Sequence, residues 1–355
     1  MNYDKGPRTA LEAQTQAQWI AFAPFVFQAA RVLRDTGILQ LLEKSAAAGG
    51  LTLAQVASGA TLSEYGARVL LEAGLGIGLV KLKDDRYATT KTAYFLMHDP
   101  ITRANLDFTQ DVNYRGLFNL EDSIREGKPL GLKVHGGWPT LYEALAHFPE
   151  KVRKSWLAFD HIYSDAAFPD ALPLVFRHKP KTLLDIGGNT GKFTLKCLTH
   201  DPDVQVTIVD LPGQLKMAQA TLEQAGLGAR ASFHEANLLD PASRLPTGFD
   251  AVWMSQFLDC FSEDEIVSIL RRCREALAPG GRVYVLETFW DRQRHDSGAF
   301  SLQMTSLYFT AIANGNSRMY ETETFAELVR KAGFTVVEQT DHLGTGHTLL
   351  ACQPS

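Results

Sequence analysis

Leu183-Leu184-Asp185-Ile186-Gly187-Gly188-Asn189-Thr190-Gly191 is the stretch on which the reading of this chain turns. An apolar run passes a carboxylate and enters a cluster of glycines, after which helix-forming residues follow. That order predicts a buried strand, a tight turn and the opening of a helix. Glycines allow backbone angles closed to other residues and let a ligand approach the main chain. A G-x-G-x-x-G turn alone would suggest a dinucleotide and a dehydrogenase. Here the spacing is D-x-G-x-N-x-G, with Asp185 inside the strand end. A carboxylate at that place suits a ligand with a positive amino group and no pyrophosphate.

Working outward, strand patterns alternate with helical ones from residue 181 onward. Strands are expected at Thr182–Ile186, Val204–Val209, Ala231–Glu235, Asp250–Met254, Arg282–Glu287, Thr335–Gln339 and Thr348–Cys352. Helices are expected between them, notably Gln214–Gln224, Asp264–Leu277 and Thr324–Ala332. Such alternation implies a mostly parallel sheet covered on both faces. The short connection between the last two strands makes them an antiparallel pair at one edge. Asp210 ends the second strand, about twenty residues past the glycine turn, where a carboxylate can accept hydrogen bonds from both hydroxyls of a ribose. The same spacing suits NAD, so it marks an adenosine and not a chemistry. Glu235-Ala236-Asn237-Leu238 closes the third strand, where an adenine edge would sit.

The first hundred residues read differently. Apolar residues recur at helical spacing over 14–44 (Val32, Leu33, Ile38, Leu39, Leu42). Thr52 opens a short helix, and Thr61 or Ser63 opens another. Leu79 to Thr89 then reads as a hairpin turning at Asp84-Asp85. Three helices and a hairpin make a winged helix. DNA binding is disfavoured, because basic and acidic residues nearly balance over 1–100 and only Arg68 could reach bases from the would-be recognition helix. Residues 101–178 are helical and rich in aromatics, with a Gly/Pro loop at Gly127 to Pro139. The expected organisation is a winged-helix dimerisation domain at 1–100, connecting helices that contribute to a substrate pocket at 101–178, and a cofactor-binding domain at 179–355.

Composition narrows the classes. The chain has 355 residues, a formal net charge of −5 and 45% hydrophobic residues, enough for two buried cores and no broad basic face. Cys197, Cys260, Cys273 and Cys352 form no C-x-x-C pair and no cluster with zinc-ligand spacing, so no metal is expected and a reducing cytosol is the expected home. The apolar stretch Trp19 to Ala30 begins late, contains Pro24 and Gln28 and runs into Arg31, unlike a secretory signal. No run approaches the ~20 apolar residues of a membrane span.

Taken in order, "LLDIGGNTG", "IVDLPGQ", "FDAVWMSQFLDCFSEDE", "LAPGGRVYVLE" and "AGF" resemble the class I O-methyltransferases of the caffeate and hydroxyindole type over nearly the whole chain. The resemblance implies an α/β fold with a Rossmann-like methyltransferase sheet and an N-terminal winged-helix domain. It implies S-adenosylmethionine (SAM) as methyl donor, S-adenosylhomocysteine (SAH) as product and a small phenolic acceptor. A homodimer through the N-terminal helices is implied as well, with neither nucleic acid nor membrane as partner. By position, Asp185, Gly187, Gly188, Asn189, Gly191, Asp210, Leu211, Asn237, Leu238, Ser255 and Gln256 would surround the cofactor. Phe159, Tyr163, Met304 and Tyr308 would line the substrate pocket.

The chain departs from the family at its catalytic motif. The family pattern K-W-x-x-H-D-W-S-D, registered on "FDAVWM", places Ser255 at the Lys, Asp259 at the His that acts as base, Cys260 at the Asp and Phe261 at the Trp. Two carboxylates hold that His in the family. Glu287 matches one, whereas the other falls on Ser317 or Met319 within Gly315-Asn316-Ser317-Arg318. A free Asp is poorly matched to a phenol unless burial raises its pKa or a second carboxylate such as Glu287 does so. His161 is a further candidate base. Four readings follow: O-methylation of a phenol, which is favoured; methylation of a ring carbon ortho to a phenol; SAM binding without methyl transfer; and a ligand-sensing regulator.

Overall fold

A computed structural model describes Gly6 and residues 9–355. The chain divides into two compact units that meet between Asp107 and Phe108.

In the N-terminal unit, α1 (Ala10–Ala21), α2 (Ala23–Asp35) and α3 (Ile38–Lys44) are followed by α4 (Leu53–Gly59) and α5 (Glu64–Gly76), then by strands β1 (Val80–Lys83) and β2 (Arg86–Thr89) and helices α6 (Lys91–His98) and α7 (Pro100–Phe108). The helix starts follow local chemistry. Thr52 Oγ1 accepts from the Gln55 N–H while the Gln55 side chain accepts from the Thr52 N–H, satisfying two donors that helix geometry leaves free. Ser63 Oγ accepts from the Gly66 N–H at the head of α5. The β1–β2 turn places both Asp84 and Asp85 at positive φ, as a two-residue hairpin with the strand twist requires. Leu33, Ile38, Leu39, Leu42, Val56 and Leu71 form the core, so the unit is the expected winged helix. Helix α1 buries none of its own residues within the unit, and Leu11, Ile20 and Phe25 are exposed.

The second unit begins with α8 (Leu120–Glu126), α9 (Leu141–Ala144) and the long α10 (Glu150–Phe176). A short 3-10 helix, Leu130–His135, occupies part of the stretch expected to be an irregular loop. Then come β3 (Thr182–Ile186), α11 (Lys192–His200), β4 (Gln205–Asp210), α12 (Pro212–Gln224), β5 (Ala231–Glu235), β6 (Phe249–Ser255), α13 (Glu263–Ala276), β7 (Leu277–Glu287), α14 (Asp296–Tyr308), α15 (Thr322–Lys331), β8 (Phe334–Leu343) and β9 (His347–Pro354). The sheet order is β5-β4-β3-β6-β7-β9-β8, parallel except for β9, which runs antiparallel to both neighbours. Strand order reverses between β3 and β6, and ligands of open α/β sheets bind at the carboxyl ends of the strands beside such a switch. Apolar side chains fill both faces of the sheet, Leu184, Ile186 and Met254 on one and Leu183, Ile208 and Trp253 on the other. Among the described residues, no helix is long and apolar enough to cross a membrane.

Candidate active site

The glycine turn follows directly from β3. Gly187 and Gly191 take φ of 72° and 77°, and Asn189, at 49°, is one of the few non-glycine residues in the left-handed region. An added Cβ at Gly188 would lie 2.7 Å from Ile208 Cγ2 and 3.1 Å from Asp185 Oδ2, so only glycine leaves room there. The main chain thereby wraps around two carboxylates. Asp185 Oδ2 accepts from Thr194 Oγ1 at 2.6 Å. Asp210 Oδ2 accepts from the Asn189 N–H at 2.9 Å, and its Oδ1 accepts from the Leu211 N–H at 2.7 Å. Burial lifts the Asp185 carboxyl to about 7 and that of Asp210 to about 6, although these hydrogen bonds pull both back down. Carboxylates so desolvated favour a cationic or hydroxyl-rich ligand.

Two cavities open at this edge of the sheet. The larger, about 340 Å³, is bounded by Gly187, Asn189, Asp210, Leu211, Asn237, Leu238, Gln256, Phe257 and Cys260 from segments that follow the strands, and by Tyr142, Trp156, Asp160 and Asn314 from other parts of the unit. The smaller, about 60 Å³, adjoins Asp185, Gly188, Ser255 and His161. Asp160, Gly187, Asn189 and Gln256 border both. Ser255 Oγ is buried without a hydrogen-bond partner among the described residues. A free buried hydroxyl, a turn that a side chain would fill and carboxylates at two strand ends fit the polar, cationic donor molecule that the motifs imply. Gly191 borders neither cavity and instead opens α11, packed against Ala218.

Asp259 and Glu287 lie behind the cavity wall and do not border it. Glu287, 2% exposed, accepts from the N–H groups of Phe257 (3.0 Å) and Leu258 (2.8 Å) through Oε1, and its Oε2 has no hydrogen-bond partner among the described residues. It therefore holds the turn that carries Asp259. Asp259, 5% exposed, accepts from Cys260 Sγ at 3.4 Å, and burial lifts its carboxyl to about 6. Burial and the neighbouring Asp259 push Glu287 well above the usual carboxylate range. Desolvation and the nearness of the two carboxyls disfavour ionising both at once, Glu287 holding its proton more tightly than Asp259. Ser317 stands where the family resemblance expects a second clamping carboxylate. It bonds Asn314, whose amide in turn donates to the Cys260 carbonyl at 2.5 Å. A neutral amide bracket thus replaces the charged clamp.

The remaining expected residues are distributed by helix periodicity. On α10, Trp156 and Asp160 stand four residues apart and face the larger cavity. Phe159 lies on a different face, stacked on Phe108 at 3.8 Å and edge-on to Tyr163 at 5.3 Å. Tyr308 accepts from Trp156 Nε1 at 2.9 Å and so braces a wall residue from behind. Met304 is 46% exposed. Phe159, Tyr163, Met304 and Tyr308 border neither cavity. His161 Nδ1 is 3.0 Å from Lys192 Nζ, which also pairs with Asp165 at 2.5 Å; burial and that lysine lower the imidazole pKa. His161 borders the smaller cavity only.

Sequence reasoning passed over three supports. Arg272 is buried on α13 and donates to the carbonyls of Leu238 (2.7 Å) and Asp240 (3.1 Å), tying down the segment after β5. His347 is fully buried and bonds Gln256, an expected cofactor residue held at a φ of 46°, at 3.1 Å. Tyr142 comes from the short helix α9, far from any motif. Only the i, i+4 spacing of Trp156 and Asp160 offered a signal for the cavity wall.

Comparison with known proteins agrees with this architecture. Residues 118–335 match the model of an O-methyltransferase domain, and residues 14–87 that of a Dimerisation2-like domain. The chain is 25% identical over 320 residues to an L-tyrosine C(3)-methyltransferase of Streptomyces lavendulae, covering 89% of this chain and 85% of that protein. It is 27% identical over 308 residues to a 2,7-dihydroxy-5-methyl-1-naphthoate 7-O-methyltransferase of Streptomyces carzinostaticus, covering 82% and 85%. Among solved structures, the apo form of the S-adenosylmethionine-dependent methyltransferase SibL superposes with a TM-score of 0.71 at 26% identity, over 95% of this chain and 98% of that one. With a dimerisation module ahead of a sheet whose strand ends form a SAM-compatible cradle, the chain belongs to the O-methyltransferase family of SAM-dependent methyltransferases.

Proposed function

We propose that the protein methylates a small phenolic aromatic acceptor in the larger cavity, with oxygen as the favoured site. The observation that carries this reading is the continuity of the glycine turn with a 340 Å³ space walled by Trp156, Tyr142 and Phe257 and backed by Asp259. SAM supplies an electrophilic methyl on a positively charged sulfur. On this reading Asp185, Gly187, Gly188, Asn189, Ser255 and Gln256 receive its methionine portion, and Asp210 with Leu211 its ribose. Asn237 and Leu238, braced by Arg272, face the adenine, and Gly191 shapes the turn. The aromatic walls hold the ring so that oxygen and methyl lie in line, which alone supplies much of the rate. As the new bond to the methyl carbon forms and the sulfur–carbon bond breaks, the phenolic proton is drawn toward Asp259, which stands behind the wall residue Cys260 and is reached by a relay and not by direct contact. At about 6 its pKa suits a base near neutrality better than an ordinary Asp does. Glu287 positions it through the 257–258 backbone, and His161 serves the cofactor end. Phe159, Tyr163, Met304 and Tyr308 back the acceptor wall.

Methylation of the ring carbon ortho to the phenol is the second reading. It is supported by the carboxylate in place of the family's His and by the tyrosine C(3)-methyltransferase among the relatives. A phenolate pushes electron density onto that carbon, and the displaced ring proton also needs an acceptor. The reading further includes the domain limits 1–100, 101–178 and 179–355, a homodimer formed by the exposed apolar faces of α1 and α2, no nucleic-acid partner, and a cytoplasmic setting where the four free cysteines stay reduced. Incubation with SAM and a panel of phenols, followed by mass and position analysis, tests it. A product heavier by one methyl supports transfer, and its position decides oxygen against carbon. SAM binding with no product from any phenol would sink the proposal.

A further inference from the structure

The larger cavity, which on the reading above takes the adenosine of the cofactor as well as the acceptor, has a lopsided charge. Glu143, Asp160, Asp210 and Glu265 border it, and no lysine, arginine or histidine does so among the described residues. Two of the four are committed to the backbone around them. Asp210 accepts the N–H groups of Asn189 and Leu211, and Glu265 accepts both donors of Ser262. Asp160 is different. Its side chain takes one hydrogen bond, from the Asn189 amide at 3.1 Å. The His161 ring, 3.8 Å away, has its pKa lowered by burial and by Lys192, and Lys192 is itself paired with Asp165. Burial, then Asp259 and Asp165 close by, lift the Asp160 carboxyl to about 7, against the opposing pull of the Lys192 charge and the Asn189 amide. Behind the wall, Asp259 and the unpartnered Oε2 of the buried Glu287 add further negative potential.

The cofactor offsets this only in part. SAM brings an ammonium and a sulfonium against one carboxylate, and the sulfonium charge is gone once the methyl has left. A desolvated carboxylate whose nearest cation, Lys192, is already paired with another carboxylate is only partly compensated, and a ligand cation that pairs with it recovers the remaining cost. We propose that the acceptor carries a protonated amine and that Asp160, at the junction of the two cavities, receives it. This rests on the placement of cofactor and acceptor given above and names the acceptor class more narrowly: phenolic amines are taken, and aromatic carboxylic acids are repelled by the same wall. Glu143, which makes no hydrogen bond or ion pair among the described residues, adds to the attraction from α9.

The test uses three phenols of like size that differ in one end group: tyramine (ammonium), tyrosol (hydroxyl) and 4-hydroxyphenylacetate (carboxylate). Binding to the full-length protein saturated with SAH, whose net charge is zero, is measured by calorimetry at pH 8. Tyramine should bind at least tenfold more tightly than tyrosol, and the acid more weakly than tyrosol. The tyramine–tyrosol gap should shrink severalfold in Asp160→Asn, with unchanged SAH affinity showing that the cradle is intact. Equal affinities, a preference for the acid, no tyramine binding at millimolar concentration, or an Asp160→Asn variant that keeps the full gap would each overturn the proposal. Because binding is read without turnover, failure of methyl transfer in the phenol panel would not produce any of these results.

Discussion

Replacing Asp259 by Asn should make the protein more stable and less active at once. Asp259 is 5% exposed, and its carboxyl is lifted from the ordinary 3.8 to about 6, mainly by burial. The folded state therefore binds the proton more tightly than the unfolded state. Stability falls as pH rises from about 4 to about 6, and the full penalty applies above that window. At about 1.4 kcal/mol per pH unit, the two values differ by about 3 kcal/mol at pH 8. An Asn carries no charge, and its Oδ1 can still accept from Cys260 Sγ, but its buried amide retains a desolvation cost of about 1 kcal/mol. The net gain is about 2 kcal/mol, or an increase in Tm of roughly 4–8 °C for a unit of this size. Loss of a general base should lower kcat by roughly 10²–10⁴-fold. The wild-type rate should fall about tenfold per pH unit below about 6, where Asp259 protonates, and the variant should lose that limb. Thermal melts at pH 8 and initial rates from pH 5 to 8 measure both. An unchanged Tm would mean that the carboxylate is not held ionised against its surroundings. An unchanged rate and pH profile would remove Asp259 as the base.

Three further perturbations probe the supports. Gly188→Ala places a methyl 2.7 Å from Ile208 Cγ2; it should destabilise by about 1–3 kcal/mol and weaken SAM binding more than tenfold, and calorimetry showing wild-type affinity would contradict the cradle assignment. Arg272→Leu removes the donors to Leu238 and Asp240; it should cost about 1–3 kcal/mol in urea unfolding and raise the Kd for SAM while leaving the acceptor KM little changed. His347 is fully buried, and burial lowers its imidazole pKa to about 3. The unfolded chain therefore takes up a proton below about 6.5 that the folded chain refuses, so stability is lost as pH falls, by about 2 kcal/mol at pH 5. Urea midpoints at pH 7 and 5 should converge in His347→Gln relative to wild type, and parallel losses in the two proteins would locate the acid sensitivity elsewhere.

The sheet was legible in the sequence because each of its strands advertises itself locally. The run Leu183–Ile186, the carboxylate at 210 and the alternation after 181 all reflect contacts within a few residues or a repeating period, and β3 to β9 lie within a few residues of where that alternation places them. The winged helix was legible for the same reason, down to the acidic β1–β2 turn. The wall of the larger cavity was not. Phe159 and Tyr163 read as pocket residues beside a motif, yet a rotation of about 100° per residue carries Phe159 off the face shared by Trp156 and Asp160 and into an aromatic stack with Phe108. A sequence names aromatics without saying which way they turn.

What the sequence determined by itself is therefore the chemistry of the strand ends: a glycine turn, a carboxylate beside it and another at the end of the next strand, each set by backbone angles and spacing along one segment. Only the tertiary structure decided the charge of the larger cavity and the desolvation of the Asp259–Glu287 pair. Tyr142, Asp160, Cys260 and Asn314 come from four separate segments. Whether a carboxylate there is cheap or costly depends on how much water and how many cations those segments leave around it, and that is a property of packing which no single stretch of chain contains.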